Sequence, residues 1–226
     1  MIDNKNEVEV AIGDVHGCYN TLMDLMKILP KNSKHIYTGD LCDKGEYTKE
    51  VIQHVIDTNS LCVKGNHDYL MEKYSERFLS SGKTNLWTSS MYGGSKTLES
   101  YREDMSTLKK HVEFLSQLPY FLEKEKYFIT HGFAIPYYKN REPKKIMSNR
   151  LGREFPDWED FSNYDIINIF GHCDFKEPMI NKQYIGIDTG CVYGRRLSAV
   201  ELGTHKIYSV PFNPKDGLFN DENEYD

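Results

Sequence analysis

Three stretches in the first third of the chain repeat one plan of apolar and polar positions. Val8 to Ile12 is an apolar, strand-like run that leads into the glycine-flanked turn Gly13 to Gly17. From Asn20 to Leu29 the residues Leu22, Leu25, Met26 and Leu29 recur at three- and four-residue spacing, which predicts a helix with one buried face. Asn20 is the expected N-cap and Pro30 the stop. His35 to Thr38 then reads as a strand, Gly39 to Gly45 as a turn, and Tyr47 to Asp57 as a helix with Val51, Ile52, Val55 and Ile56 inward. Leu61 to Lys64, the turn Gly65 to Asp68 and a helix to about Leu79 complete a third unit. Successive strand–turn–helix units imply right-handed crossovers and a largely parallel sheet.

Beyond Ser80 the periodicity loosens. Gly82, Gly93 and Gly94 sit among Ser, Thr and Asn, with Trp87, Met91 and Tyr92 as the large residues, a composition that suits a substrate-facing lid or a surface connection with a local anchor. A helix from about Glu103 to Leu118 follows, closed by Pro119. Lys126 to Thr130 and Ile166 to Phe170 read as strands that end at His131-Gly132 and Gly171-His172. Between them, Pro136 to Trp158 has no strong period. Gln183 to Asp188, Leu197 to Leu202 and His205 to Val210 read as three strands joined by short turns, hence mostly antiparallel. No linker divides the chain, so residues 1–226 are expected to form one domain, with its core over about 8–210 and a loose acidic tail over 211–226.

Composition narrows the function classes. A 226-residue chain that is 39% hydrophobic can bury a sizeable core. Its net charge of −6 argues against a broad nucleic-acid surface, though not against a local nucleotide pocket. No run approaches the roughly 18 apolar residues of a membrane span, and Met1 to Glu7 lacks the apolar segment of a signal peptide. The expectation is a cytoplasmic, monomeric protein without membrane attachment. Five cysteines without a C-x-x-C pair argue against a disulfide framework and against a thiolate zinc site.

The chemistry lies in the turns. Asp14 with His16, Asp40 with Asp43, Asn66 with His67, His131 and His172 all stand at predicted strand ends, where open α/β sheets place their sites. Carboxylate, amide and imidazole donors without thiolate suit Mn, Fe or Zn better than a calcium cage. Two such ions sharing a carboxylate can clamp a phosphate and acidify a water, and a histidine oriented by a carboxylate can then protonate the leaving oxygen. His35, His54, His111 and His205 fall in ordinary strand, helix or turn positions and read as structural.

Taken together, Gly13 to Gly17, Gly39-Asp40-x-x-Asp43-Lys44-Gly45, Gly65-Asn66-His67-Asp68, His131-Gly132 and Gly171-His172 resemble the phosphoprotein-phosphatase branch of the calcineurin-like metallophosphoesterases. The similarity extends to small bacterial and bacteriophage members, which include protein phosphatases and symmetrical diadenosine tetraphosphatases. It implies a four-layer α-β-β-α sandwich of two mixed sheets flanked by helices. It also implies two divalent metals, most often Mn2+, with Fe, Zn, Ni or Co as alternatives. Asp14 and His16 would bind the first metal, Asp40 would bridge, and Asn66, His131 and His172 would complete the second. His67 would be the proton donor, oriented by Asp43, and Lys44, Arg150 and Asn66 would bind phosphate. Two lysines depart from the family pattern: Lys44 and Lys64 stand where arginine is usual, exchanging a bidentate fork for a point charge. On motifs alone the leading expectation is hydrolysis of phosphoserine or phosphothreonine proteins. The alternatives are a symmetrical dinucleoside tetraphosphatase or other nucleotide phosphoesterase, with Trp87, Tyr92, Tyr137, Tyr138 and Tyr193 as stacking candidates, and a non-catalytic scaffold.

Overall fold

The computed structural model describes residues 7–102, 104–151 and 164–217. In chain order the elements are β1 (Glu9–Ile12), α1 (Tyr19–Ile28), β2 (Lys34–Tyr37), α2 (Thr48–Asp57), β3 (Leu61–Cys62), α3 (Asn66–Ser81), α4 (Gly94–Ser100) and α5 (Met105–Ser116). These are followed by β4 (Phe121–Lys124), β5 (Tyr127–Thr130), α6 (Pro143–Ser148), β6 (Ile167–Phe170), β7 (Met179–Ile180), β8 (Tyr184–Gly186), β9 (Arg196–Glu201) and β10 (Ile207–Pro211). Five strands form one sheet in the order β10-β9-β1-β2-β3, and five form a second in the order β4-β5-β6-β8-β7. Both are mixed: β1, β2 and β3 run parallel, as do β5, β6 and β8, with antiparallel strands at the edges.

Alternation along the strands builds the layers, because successive side chains point to opposite faces. Val10 and Ile12 of β1 pack with Leu22, Leu25, Val51 and Val55 of the helices. Ala11 between them faces the other way, into a seam with Ile129, Ile169, Ile185 and Val200 that joins the two sheets. On the far side of the second sheet Phe128, Phe170 and Tyr184 pack with Ile146 of α6. The result is the expected sandwich of two mixed sheets flanked by helices.

Three expectations change. The last three strands are not one antiparallel group: β9 and β10 form a hairpin in the first sheet, whereas β8 pairs in parallel with β6 in the second. Strands β4 and β7, too short or too polar to carry a period, complete the second sheet. Residues 211–217 are not loose. Asp216 is fully buried, and its carboxylate accepts from the backbone N–H groups of Asn20 (2.7 Å) and Thr21 (2.8 Å) and from both their side chains. It thus caps the start of α1 from 195 residues away, and Asn20, the expected cap, lies inside the first turn. The rest of the expected tail, 218–226, and the 152–158 portion of the aperiodic segment lie outside the described residues. All five cysteines are buried and free.

Candidate active site

The parallel strands of both sheets deliver their C-terminal turns to one edge, where the sheets meet. His131, after β5, reaches across and places Nδ1 2.8 Å from the Thr38 carbonyl at the end of β2. Gly171, after β6, lies so close to the first turn that a Cβ there would be 1.9 Å from Asp14 Oδ1; at Gly65 it would be 2.1 Å from Asp40 Oδ1. Those two glycines let the carboxylates enter the centre. Several residues at the centre hold left-handed backbone: φ is 46° at His16, 51° at Asp40, 71° at Asp43, 66° at Lys44 and 60° at His172. Such strain in non-glycine residues persists where surrounding contacts over-determine it.

The donors converge. His16, Asp40 and His67 form one cluster in which the ligand atoms all lie within 4.8 Å of one another, and Asp40, His131 and His172 form another. Asp40 is common to both, 3.4 Å from His16 Nε2 and 3.3 Å from His131 Nε2. Asn66 Oδ1 is 3.0 Å from that same His131 nitrogen. Asp14 accepts from Thr38 Oγ1 and from the His172 backbone N–H at 3.0 Å. His16, His131 and His172 each set one ring nitrogen against a backbone carbonyl, of Cys42 (2.8 Å), Thr38 (2.8 Å) and Ser148 (3.2 Å), which fixes the tautomer and leaves the other nitrogen for a ligand.

The electrostatics favour cations. Burial, then the neighbouring Asp188, pushes the Asp14 carboxyl well above its usual value. Burial also opposes the charge of Asp40, but the imidazoles of His131, His67 and His16 outweigh it and hold its pKa well below the usual range. Against its own burial, His131 is lifted to about 10 by Asp40 and Asp14. The centre therefore draws positive charge, and mixed oxygen and nitrogen donors around buried carboxylates fit divalent cations.

His67 is held differently. Its Nδ1 is 2.8 Å from Asp43 Oδ2, and the other Asp43 oxygen accepts from Trp87 Nε1 and Thr97 Oγ1, both at 2.8 Å. Asp43 and Trp87 have no exposed surface. The 80–100 segment is thus an anchored strap over Asp43; Trp87 faces Asp43 and not a substrate, while Tyr92 sits with its ring 5.8 Å from that of His67. Thr97 carries no signal of its own in the sequence.

Lys44 and Arg150 line the central pocket with Asp188 and Tyr193. The Lys44 ammonium hydrogen-bonds to the Tyr193 hydroxyl. Burial works against its charge, but Tyr193, Asp40 and Asp188 hold its pKa above the ordinary lysine value. Lys64 is neither at the phosphate pocket nor solvated: it is buried, 2.6 Å from Glu72 Oε2 and 3.2 Å from the Ser116 carbonyl. Asp68 likewise does not line the pocket; it accepts from the backbone N–H groups of Asp40, Leu41 and Gly65 and shapes the second turn. Tyr138 packs on Phe128 and Arg141, away from the centre. Arg141, Arg195 and Arg196 pair with Glu123, Asp174 and Glu177. Asp188, whose carboxyl burial pushes up to about 6, is the pocket residue that motif reading missed. It follows β8 as Asp14 follows β1, and placing it inside an antiparallel strand hid that equivalence.

The family profile described as Calcineurin-like phosphoesterase matches residues 10–191. The chain belongs to that family. Among curated relatives, the asymmetrical bis(5′-nucleosyl)-tetraphosphatase PrpE of Geobacillus sp. (strain WCH70) is 29% identical, the alignment covering 88% of this chain and 92% of that one. Among solved structures, a provisionally assigned diadenosine tetraphosphatase superposes with a TM-score of 0.69 at 20% identity, covering 93% of this chain and 96% of that one. A protein serine/threonine phosphatase from Saccharomyces cerevisiae superposes with a TM-score of 0.61 at 12% identity, covering 94% of this chain and 81% of that one. Those two likenesses establish the shared fold. No helix among the described residues is long and apolar enough to cross a membrane.

Proposed function

We propose that this metallophosphoesterase hydrolyses dinucleoside tetraphosphates asymmetrically, to a nucleoside monophosphate and a nucleoside triphosphate. The observation that carries this reading is the end-to-end relationship to enzymes named for that reaction, 29% identical over 88% of the chain. Motifs alone rank phosphoproteins first, because the centre itself is common to both substrate classes. The relatives move nucleotides ahead, and move the cleavage from symmetrical to asymmetrical.

Two divalent cations, held by Asp14, His16 and Asp40 on one side and by Asp40, Asn66, His131 and His172 on the other, would supply Lewis acidity and a low-pKa water. The mixed donors fit Mn, Fe or Zn. The chain's own residues do the rest. Lys44, fixed by Tyr193, and Arg150 offer positive charge to the non-bridging oxygens of the reacting phosphoryl group. As the oxygen of water bonds to phosphorus, the bond from phosphorus to the leaving oxygen breaks, and His67 gives that oxygen a proton from Nε2. Asp43, on Nδ1, keeps the ring oriented. Trp87 and Thr97, the buried residues of the strap that touch Asp43, exclude water from behind it.

Diadenosine tetraphosphate, a phosphoserine peptide and p-nitrophenyl phosphate, each supplied with Mn2+ and resolved by chromatography, test this. AMP plus ATP from the tetraphosphate, formed faster than phosphate from the peptide, is the expected result. Two molecules of ADP would make the cleavage symmetrical. Rapid peptide turnover with the tetraphosphate intact would restore the phosphoprotein reading.

A further inference from the structure

A second cavity opens directly off the metal centre. Its volume is about 630 Å³, within the range of small-ligand sites, and it shares Asn66 and His172 with the central pocket. It runs between α3 and α6. Tyr69 and Lys73 come from α3, Lys144 and Lys145 from α6, and Tyr92 from the strap. Among the described residues that line it, three are lysine and none is acidic, in a chain whose net charge is −6. Nothing in the catalytic arrangement above uses these lysines or tyrosines.

The placement of Tyr92 gives the cavity a direction. Tyr92 lies against His67, ring centroids 5.8 Å apart, and His67 is the residue that protonates the leaving oxygen. Lys44, Tyr193 and Asp188 lie in the central pocket and do not line this cavity. His67 lines the central pocket with Lys44 and Arg150, and Tyr92 of the cavity stands beside it, so a leaving group protonated by His67 has the cavity as its neighbouring space.

Resting on the nucleotide reading, we infer that the cavity between α3 and α6 is the seat of the leaving nucleoside triphosphate. Lys73, whose ammonium lies 5.4 Å from the Tyr69 ring centroid, binds its phosphate chain with Lys144 and Lys145, and Tyr92 presents a ring face to its base. Three cations match a chain of three phosphates, and aromatic faces bind any base without selecting among them. This asymmetry separates the two products. The triphosphate has the lysine-lined cavity, whereas the monophosphate keeps only the central pocket, about 180 Å³ in volume and too small for a nucleoside. The central pocket thus does not fix which nucleoside remains on the monophosphate.

Isothermal titration of ATP and of AMP into the Mn2+-loaded protein tests the inference, comparing the parent with K73Q/K144Q/K145Q and with Y92A. In the parent ATP should bind more tightly than AMP. The triple variant should raise the Kd for ATP at least tenfold more than that for AMP, and Y92A should weaken ATP by several-fold. The lysines are exposed, so loss of folding is not expected, and thermal melts check it. Equal weakening of both nucleotides, no weakening of either, or parent binding that does not favour ATP would each overturn the inference. The two readings fail separately. If the parent splits the tetraphosphate but the triple variant binds ATP as before, the cavity assignment falls and the reaction stands. If the parent leaves the tetraphosphate intact but its ATP affinity depends on the lysines, the reverse holds.

Discussion

At the scale of single residues, the difference between His67 and the other imidazoles at the centre is what lies on the second ring nitrogen. Backbone carbonyls hold His16, His131 and His172, whereas a buried carboxylate holds His67. His67→Asn should therefore lower kcat on the tetraphosphate by about 100-fold, the scale of a lost general acid, with KM little changed. A steady-state assay at saturating Mn2+ reads this, and a parental kcat would remove His67 from the proton transfer. Asp68, despite its place within the motif, should behave oppositely. Asp68→Ala strands three buried backbone donors, which at a cost of about 1 kcal/mol or more each lowers stability by about 3 kcal/mol. Urea unfolding measures it; a loss below about 1 kcal/mol would show that water or a shifted backbone replaces the carboxylate.

Elements act on the site through contacts between distant parts of the chain. The strap that carries Trp87 and α4 has little periodicity, yet it supplies two donors to one Asp43 oxygen. Trp87→Phe keeps most of the apolar bulk and removes one donor. It should reduce kcat by about tenfold, equivalent to about 1.4 kcal/mol, and leave KM alone; an unchanged kcat would mean that Thr97 alone suffices. Between α2 and α5, His111 is buried, 2.6 Å from the Tyr101 hydroxyl and 3.0 Å from Gln53 Oε1. The amide oxygen requires an N–H on Nε2, so Nδ1 accepts from Tyr101 and the ring is neutral. Burial depresses its pKa from 6.5 to about 4. The unfolded chain then binds the extra proton first, so the contribution of His111 is intact above pH 6.5 and is withdrawn as pH falls towards 4. Unfolding free energy should drop more steeply between pH 6.5 and 5 in the parent than in His111→Asn, and parallel slopes would contradict this.

For the whole molecule, the candidate metal cluster stands at one end of the contact between the two sheets, which elsewhere meet through an apolar seam and through polar contacts such as Lys124 with Glu9. Asp14 and Asp40 come from the first sheet, His131 and His172 from the second, and bound cations would tie them together. Chelation should lower the melting temperature, and added Mn2+ should restore it in proportion to the logarithm of its concentration. Melting curves that ignore metal would place the cations outside this cluster. Asp216 does similar work at the opposite end of the sequence, closing the first helix with the last described turn. Asp216→Ala should cost about 1–2 kcal/mol, as loss of an N-cap does.

Local pattern was enough for the strands that carry the motifs, the helices between them and the strand-end residues that the fold gathers at one edge. Asp14, His16, Asp40, Asn66, His67, His131 and His172 could be read because type, neighbours and strand-end position are local properties. The partners of those residues could not. Trp87 and Thr97 act on Asp43 from 44 and 54 residues away, and Asp216 caps α1 across 195. Asp188 became visible only once β8 paired in parallel with β6, since pairing direction is a long-range choice that no run of residues encodes by itself. Substrate preference belongs to the same class: the motif residues are common to phosphoprotein and nucleotide hydrolysis. The lysine-lined cavity beside them exists because the packing of the two sheets brings α3 and α6 together.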